Sequence, residues 1–311
     1  MIKNTKLLLI TGAIALTSCG ASYEQVNVTT SMYPHYDLVR QTTKNTDISY
    51  ALITPPGVEV HSYRPTPKQT AQIQNSDIFF YSTDLIETWV SGMNVKDVSV
   101  INVHDTLFSE EHEHDGHDET EIEADDEHDD HHGVHFWTSP TNIIEELDLV
   151  VDELSSHYPE FAGEFAANAE DYAMALTTAS EEFANSLVDL VAPTVFFVGH
   201  NAMADFGEYF GLEIVSLIED IKPDADITPA QLAALVDAVV ASDAEYLFVE
   251  ELADPVFGRT VKDELKNKYD RDVEILELHG YHNVTLNDFE SEVTYLDLLN
   301  RNITNLSEAL L

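Results

Sequence analysis

The chain has 311 residues, enough for two lobes at ordinary domain size. Asp and Glu number 58 against 14 Lys and Arg, a formal net charge of −44. Charge of this sign excludes a nucleic-acid partner and polybasic adhesion to anionic lipid, and it attracts cations.

The first residues, MIKNTKLLLITGAIALTSCG, place Lys3 and Lys6 ahead of an apolar run from Leu7 to Leu16. That run is about ten residues, too short to span a bilayer. It ends in Leu16-Thr17-Ser18-Cys19 and resembles a bacterial lipoprotein signal. On that resemblance residues 1–18 are cleaved, Cys19 is lipidated and 19–25 form a tether. The mature protein then sits outside the cytoplasmic membrane, at a cell surface or in a periplasm. Cys19 is the only cysteine, so no disulfide forms within one molecule and no thiolate remains for a metal or a nucleophile.

From residue 26 the chain alternates β and α signals. Strands are expected at 26–33, 48–53, 77–82 and 98–103. Helices are expected from residue 36, at 66–76 behind a Thr-Pro start, and at 85–92. The strands are short and almost continuously apolar, as in a parallel sheet covered on both faces. A helix over 142–158 ends at Pro159. Residues 161–191 carry Phe165, Ala169, Tyr172, Leu176, Ala179, Phe183 and Leu187 at spacings of three and four. That pattern predicts one helix of roughly 30 residues, about 45 Å long, serving either as a core helix or as a connecting spine. The alternation then restarts, with strands at 194–200, 212–219, 245–251 and 272–278 and a closing helix over 288–311. The fold class is therefore α/β: two lobes, 26–160 and 192–311, each a mostly parallel sheet flanked by helices, joined by one long helix at 161–191.

The first lobe is interrupted by EEHEHDGHDETEIEADDEHDDHHGVH at 110–135. It contains His112, His114, His117, His128, His131, His132 and His135, thirteen acidic residues and no Lys or Arg. With almost nothing to bury, 110–132 is expected to stay mobile. Imidazole and carboxylate together are ligands for divalent transition metals, and acidity alone does not account for so many histidines. Weak, multiple metal binding is expected there.

Open α/β sheets bind ligands at the carboxyl ends of their strands. His61 follows strand 48–53, His200 ends strand 194–200, His279 ends strand 272–278, and His135 leaves the loop just before a helix. Two come from each half, so one metal between the lobes can collect all four. Glu250 and Glu251, at the end of strand 245–251, are either partners of those ligands or solvated strand-end acids.

VEVHSYRPTPKQTAQIQNSDIFFYS around His61 resembles the first-ligand segment of the zinc- and manganese-binding solute-binding proteins of ABC transporters (cluster A-I). GVHFWTSP (133–140) is similar to that family's His-x-Trp-x-x-Pro segment, and GHNAMADFGEYFGLEIV (199–215) to its third-ligand segment. ILELHGYHNVTLNDFESEVTYLDLLNRNITNLSEAL resembles the region of the fourth ligand and the last helix, and the acidic His-rich insertion resembles the zinc branch. The resemblance implies a ligand set of His61, His135, His200 and His279, with His282 the alternative or an outer partner. Many members have Asp or Glu where His279 stands.

Four imidazoles suit tetrahedral Zn2+, whereas Mn2+ prefers more oxygen donors and ranks second here. Zinc affinity is expected to fall as histidines protonate near a pKa of roughly 6.5. The implied function is capture of zinc outside the membrane and delivery to an ABC permease, by a lipid-anchored monomer that is not an enzyme. No H-E-x-x-H motif occurs, and four protein ligands would close the metal to substrate. The alternative is a cell-surface metal buffer or adhesin using the His-rich loop.

Overall fold

The computed structural model describes residues 26–109, 133–218, 227–252 and 256–311. The expected signal segment, Cys19, the tether and the six histidines of 110–132 lie outside the described residues.

Eight described strands form two four-stranded sheets, and all strand pairs are parallel. The first sheet runs β2 (Tyr50–Leu52), β1 (Val28–Thr30), β3 (Ile78–Tyr81), β4 (Ser99–Asn102). The second runs β6 (Glu213–Ile218), β5 (Thr194–His200), β7 (Tyr246–Glu250), β8 (Glu274–Leu278). Both halves thus share one topology. In each, the connections diverge on either side of the first strand, which leaves a crevice at the carboxyl ends of β1 and β3 and of β5 and β7.

Parallel neighbours need crossovers, and most of these are helical. In the first half they are α1 (Tyr33–Thr42) and α2 (Pro67–Ile73); α3 (Val103–Phe108) and α4 (Pro140–His157) follow β4. In the second half they are α6 (Ala204–Phe210), α7 (Pro229–Ala241) and α8 (Val256–Tyr269). The Thr-Pro starts work as the sequence implies. Thr66 and Thr228 each close a capping box, with Gln69 and Gln231, ahead of a proline at the first helical position.

α5 (Ala162–Ser186) is the long helix between the halves, 25 residues and so about 37 Å. Its buried stripe is Phe165, Ala169, Tyr172, Leu176, Ser180 and Phe183. The stripe belongs to one continuous apolar core that includes Val28 and Phe80 of the first sheet and Val195, Phe197 and Phe248 of the second. The outer faces have separate cores, around Ile73, Phe79 and Val90 in one half and around Leu235, Val239, Val261 and Leu265 in the other.

Besides the central helix, which ends at Ser186 rather than at 191 because the chain turns from Leu187, three elements differ from the sequence expectation. Residues 85–92 are turns ending in a 3₁₀ turn at Val90–Gly92, because Glu87 folds back to accept the Ser82 and Thr83 amides instead of continuing a helix. α3, capped by Asn102, lies between the strand and the His-rich segment, where no helix was expected. The closing helix is two, α9 (Leu286–Glu290) and α10 (Tyr295–Leu310). Glu292 breaks it with a left-handed φ of 54°, and Thr294 with Asp297 starts a new capping box.

That break exposes the Val293 carbonyl, which accepts from the Tyr33 hydroxyl and from Arg40 Nη2 (2.7 Å). Beside it, fully buried Asp37 joins three helices. Its Oδ1 accepts from Arg40 Nε (2.9 Å) and Gln41 Nε2 (2.8 Å) on α1. Its Oδ2 accepts from the Tyr172 hydroxyl of α5 (2.7 Å) and the Tyr295 amide of α10 (2.6 Å). Removing one partner of a buried ion pair strands the other. Asp37→Ala is therefore expected to cost about 3–5 kcal/mol in urea unfolding of the metal-free protein, and a loss under 1 kcal/mol contradicts this role. With 58 acidic groups facing 14 basic ones, self-repulsion opposes compaction. The melting temperature of the metal-free protein is expected to rise as NaCl goes from about 0.05 to about 1 M; a fall would show that repulsion is not limiting.

Candidate metal centre

His61 lies in the loop after β2, His135 immediately before a 3₁₀ turn at Phe136–Thr138, His200 at the end of β5, and His282 in the loop after β8. Their ring nitrogens lie within 4.8 Å of one another. His135 Nε2 is 3.1 Å from His61 Nε2 and 3.2 Å from His200 Nε2. Four nitrogens at tetrahedral Zn–N distances of about 2.0–2.1 Å would stand about 3.3 Å apart, so these spacings match a single small cation. His282 Nε2 is buried and has no hydrogen-bond partner among the described residues. An orphaned imidazole nitrogen in a group of imidazoles is an open ligand position.

The fourth imidazole is His282, where the sequence favoured His279. β8 ends at Leu278, and the chain then turns through Gly280 and Tyr281, whose φ is 64°. That turn brings His282 to the crevice and leaves His279 behind. His279 Nδ1 accepts the Tyr281 amide (2.9 Å), and its own amide donates to Asn302 Oδ1 on α10 (2.7 Å). No side chain larger than hydrogen fits at Gly280, because a Cβ there would stand 2.5 Å from His282 Cε1.

Three of the four rings are held from behind by carboxylates. Glu59 Oε1 accepts from His61 Nδ1 at 2.6 Å, and Glu250 Oε2 accepts from His200 Nδ1 at 2.9 Å. Glu251 Oε1 lies 3.2 Å from His282 Nδ1, while its other oxygen accepts the Gly280 amide (2.7 Å). A carboxylate at Nδ1 keeps the proton there and leaves the Nε2 lone pair facing inward. Of the two readings open for Glu250 and Glu251, the geometry places both against rings of the histidine cluster. Glu59 was not foreseen; its place two residues before His61 was the available signal.

The electrostatics follow from burial. Burial, then the neighbouring rings of His282, His200 and His61, holds His135 well below the usual histidine range. His282 is depressed in the same way, by burial and then by His200 and His61. Burial pushes Glu59 up, but the hydrogen bonds from His61 outweigh it and hold the carboxyl at about 2. Glu250 is likewise lowered because His200 outweighs burial, whereas burial dominates at Glu251 and raises it. The centre thus pairs four converging imidazoles with acids behind three of them, and it can accept a divalent cation with outer-shell charge compensation.

The family model described as zinc-uptake complex component A, periplasmic, matches residues 28–309. The zinc-binding lipoprotein AdcA of Streptococcus pneumoniae (strain ATCC BAA-255 / R6) is 27% identical over 318 residues, covering 99% of this chain and 61% of that protein. The chain therefore spans about three-fifths of the length of that relative. The high-affinity zinc uptake system protein ZnuA of Bacillus subtilis (strain 168) is 24% identical, over 94% of this chain and 90% of that one. The Zn(II)-bound ZnuA-like domain of Streptococcus pneumoniae AdcA superposes with a TM-score of 0.69 at 25% identity, covering 92% of this chain and 98% of that one. Matched by the family model from residue 28 to residue 309, the chain belongs to the family of zinc-uptake complex component A.

Proposed function

We propose that the protein captures Zn2+ between its two halves, on His61, His135, His200 and His282, and delivers it to the permease of an ABC transporter. The observation that carries this reading is the convergence of four imidazoles within 4.8 Å around an orphaned His282 Nε2. The all-nitrogen donor set favours zinc over manganese. Cys19 is proposed as the lipid anchor that keeps the protein outside the membrane, as a monomer. No described helix is long and apolar enough to cross a membrane.

In this reading zinc is cargo, and the residues divide the work. The four Nε2 atoms replace its water. Glu59, Glu250 and Glu251 orient three rings and offset a charge that neutral ligands leave uncompensated. The core shared through α5 favours small rocking of the halves over wide hinge closure. The loop 110–132, outside the described residues, is proposed to gather zinc weakly near the crevice and raise its local concentration.

A transport role rather than hydrolysis agrees with one further feature. Ser82 Oγ, His35 and Glu146 line up at 2.8 and 2.5 Å, as in a nucleophile–base–acid arrangement. All three are completely buried, so no substrate carbonyl reaches Ser82.

Competition titration of the full chain and of a variant lacking 110–132 is the test. One tight zinc site is expected in both, with the weak sites lost from the deletion. His200→Ala and His282→Ala are each expected to weaken the tight site at least about 100-fold, whereas His279→Asn, whose Oδ1 can still accept the Tyr281 amide, leaves it nearly unchanged. Loss of tight binding on loop deletion would favour a surface metal buffer instead.

The pH dependence has a definite sign. A lowered histidine pKa means that protons compete with metal only at lower pH. Affinity is therefore expected to change less than about tenfold between pH 7.5 and 6.5 and to fall steeply below that. Isothermal titration showing the main loss above pH 6.5 would contradict burial as the controlling term.

A further inference from the structure

The loop carrying His282 is fastened to the loop carrying His61 by contacts that involve neither ring. Asn283, 1% exposed, donates from Nδ2 to the Pro55 carbonyl and to the Val58 carbonyl, both at 2.8 Å. Its Oδ1 accepts the Val284 amide at 2.9 Å, which fixes the amide plane of the side chain. Alongside it the Gly57 amide donates to the Val284 carbonyl at 2.7 Å. Gly57 reaches that carbonyl with a φ of 78°, a conformation natural to glycine. The Tyr33 amide, at the start of α1, donates to the His282 carbonyl at 3.3 Å. Val58 leads directly into Glu59, whose carboxylate grips both the amide and the Nδ1 of His61.

We propose that Asn283 is a positioning residue. It sets His282 of the second half in register with His61 of the first before metal arrives, and so gives the site much of its affinity. The proposal rests on the zinc-binding reading above and goes beyond it by assigning the preorganisation to one side chain outside the ligand set. The geometry singles out Asn283 because its side chain joins the loop of His282 to the loop of His61. Glu59, Glu250 and Glu251 each hold a ring within its own half. Asn283 has two donors on one nitrogen and uses both on carbonyls of Pro55 and Val58, just before His61 of the other half, while its one acceptor anchors its own loop. Without it, the 279–284 loop keeps its tie to α10 through Asn302 and the Trp137 Nε1 bond to the Gly280 carbonyl, but loses its side-chain tie to the loop that carries His61. The metal must then order that register itself, at a cost in affinity.

The test is zinc competition titration of the full chain as wild type, Asn283→Ala, Asn283→Asp, His282→Ala and the Asn283→Ala/His282→Ala double variant. Asp keeps the acceptor for Val284 and removes both donors, so it distinguishes the cross-crevice bonds from the local one if the alanine variant folds poorly. Amide exchange of Gly57 in the metal-free protein reads the fastening without metal. Both single Asn283 variants are expected to weaken the tight site about 10–100-fold and to speed Gly57 exchange. In the His282→Ala background, Asn283→Ala should then change affinity less than about twofold, because the residue being positioned is gone. Tight wild-type binding left intact in both Asn283 variants, or an equal loss in both backgrounds, overturns the proposal alone. A wild-type chain with no tight site in the crevice overturns the zinc-binding reading itself.

Discussion

Inward-facing lone pairs are the constraint on which this molecule is built. Glu59, Glu250 and Glu251 hold the Nδ1 sides of His61, His200 and His282, so these rings turn their Nε2 atoms to one small volume. Such an arrangement is unfavourable in an empty protein and becomes favourable when one cation shares the lone pairs. Burial of His135 and His282 strengthens both sides of that balance, since it disfavours their protonation and raises the worth of a metal–ligand contact. The acids behind the rings prevent the opposite problem, a buried +2 charge with only neutral ligands.

Holding four rings from two halves within a few ångströms demands a frame that does not spread. Two features supply it. The apolar core runs without interruption from the first sheet through α5 into the second. Asp37 then ties α1, α5 and α10 at one buried carboxylate, using the Tyr172 hydroxyl and the Tyr295 amide. The break between α9 and α10 contributes by freeing the Val293 carbonyl for Tyr33 and Arg40. The helical spine is thus clamped where α10 begins, and the loops at the crevice are left to carry the histidines.

The surface works on a different length scale. An excess of acidic groups this large sets up a field that attracts cations from a distance, reduced by salt within about 8–10 Å. Coordination on the proposed site in the crevice would act at short range, which salt screens little.

Much of this was legible in the sequence. Period and composition determined the α/β alternation, the restart of the pattern after residue 191 and the long central helix, because buried parallel strands and amphipathic helices impose their periods directly on the residues. Capping at Thr66 and Thr228 was legible because a cap is a contact within four residues. Histidines following strands, at 61 and 200, and one before a helix, at 135, made their meeting at a crevice legible. The fourth imidazole was decided by the tertiary structure alone. His279 ends its strand as the pattern requires, yet the left-handed turn at Tyr281 and the hold of Asn302 point it away and deliver His282. Glu59, Asn283 and Asp37 escaped for the same reason. Each acts through partners far along the chain or through a loop conformation, and neither leaves a period for a sequence to show.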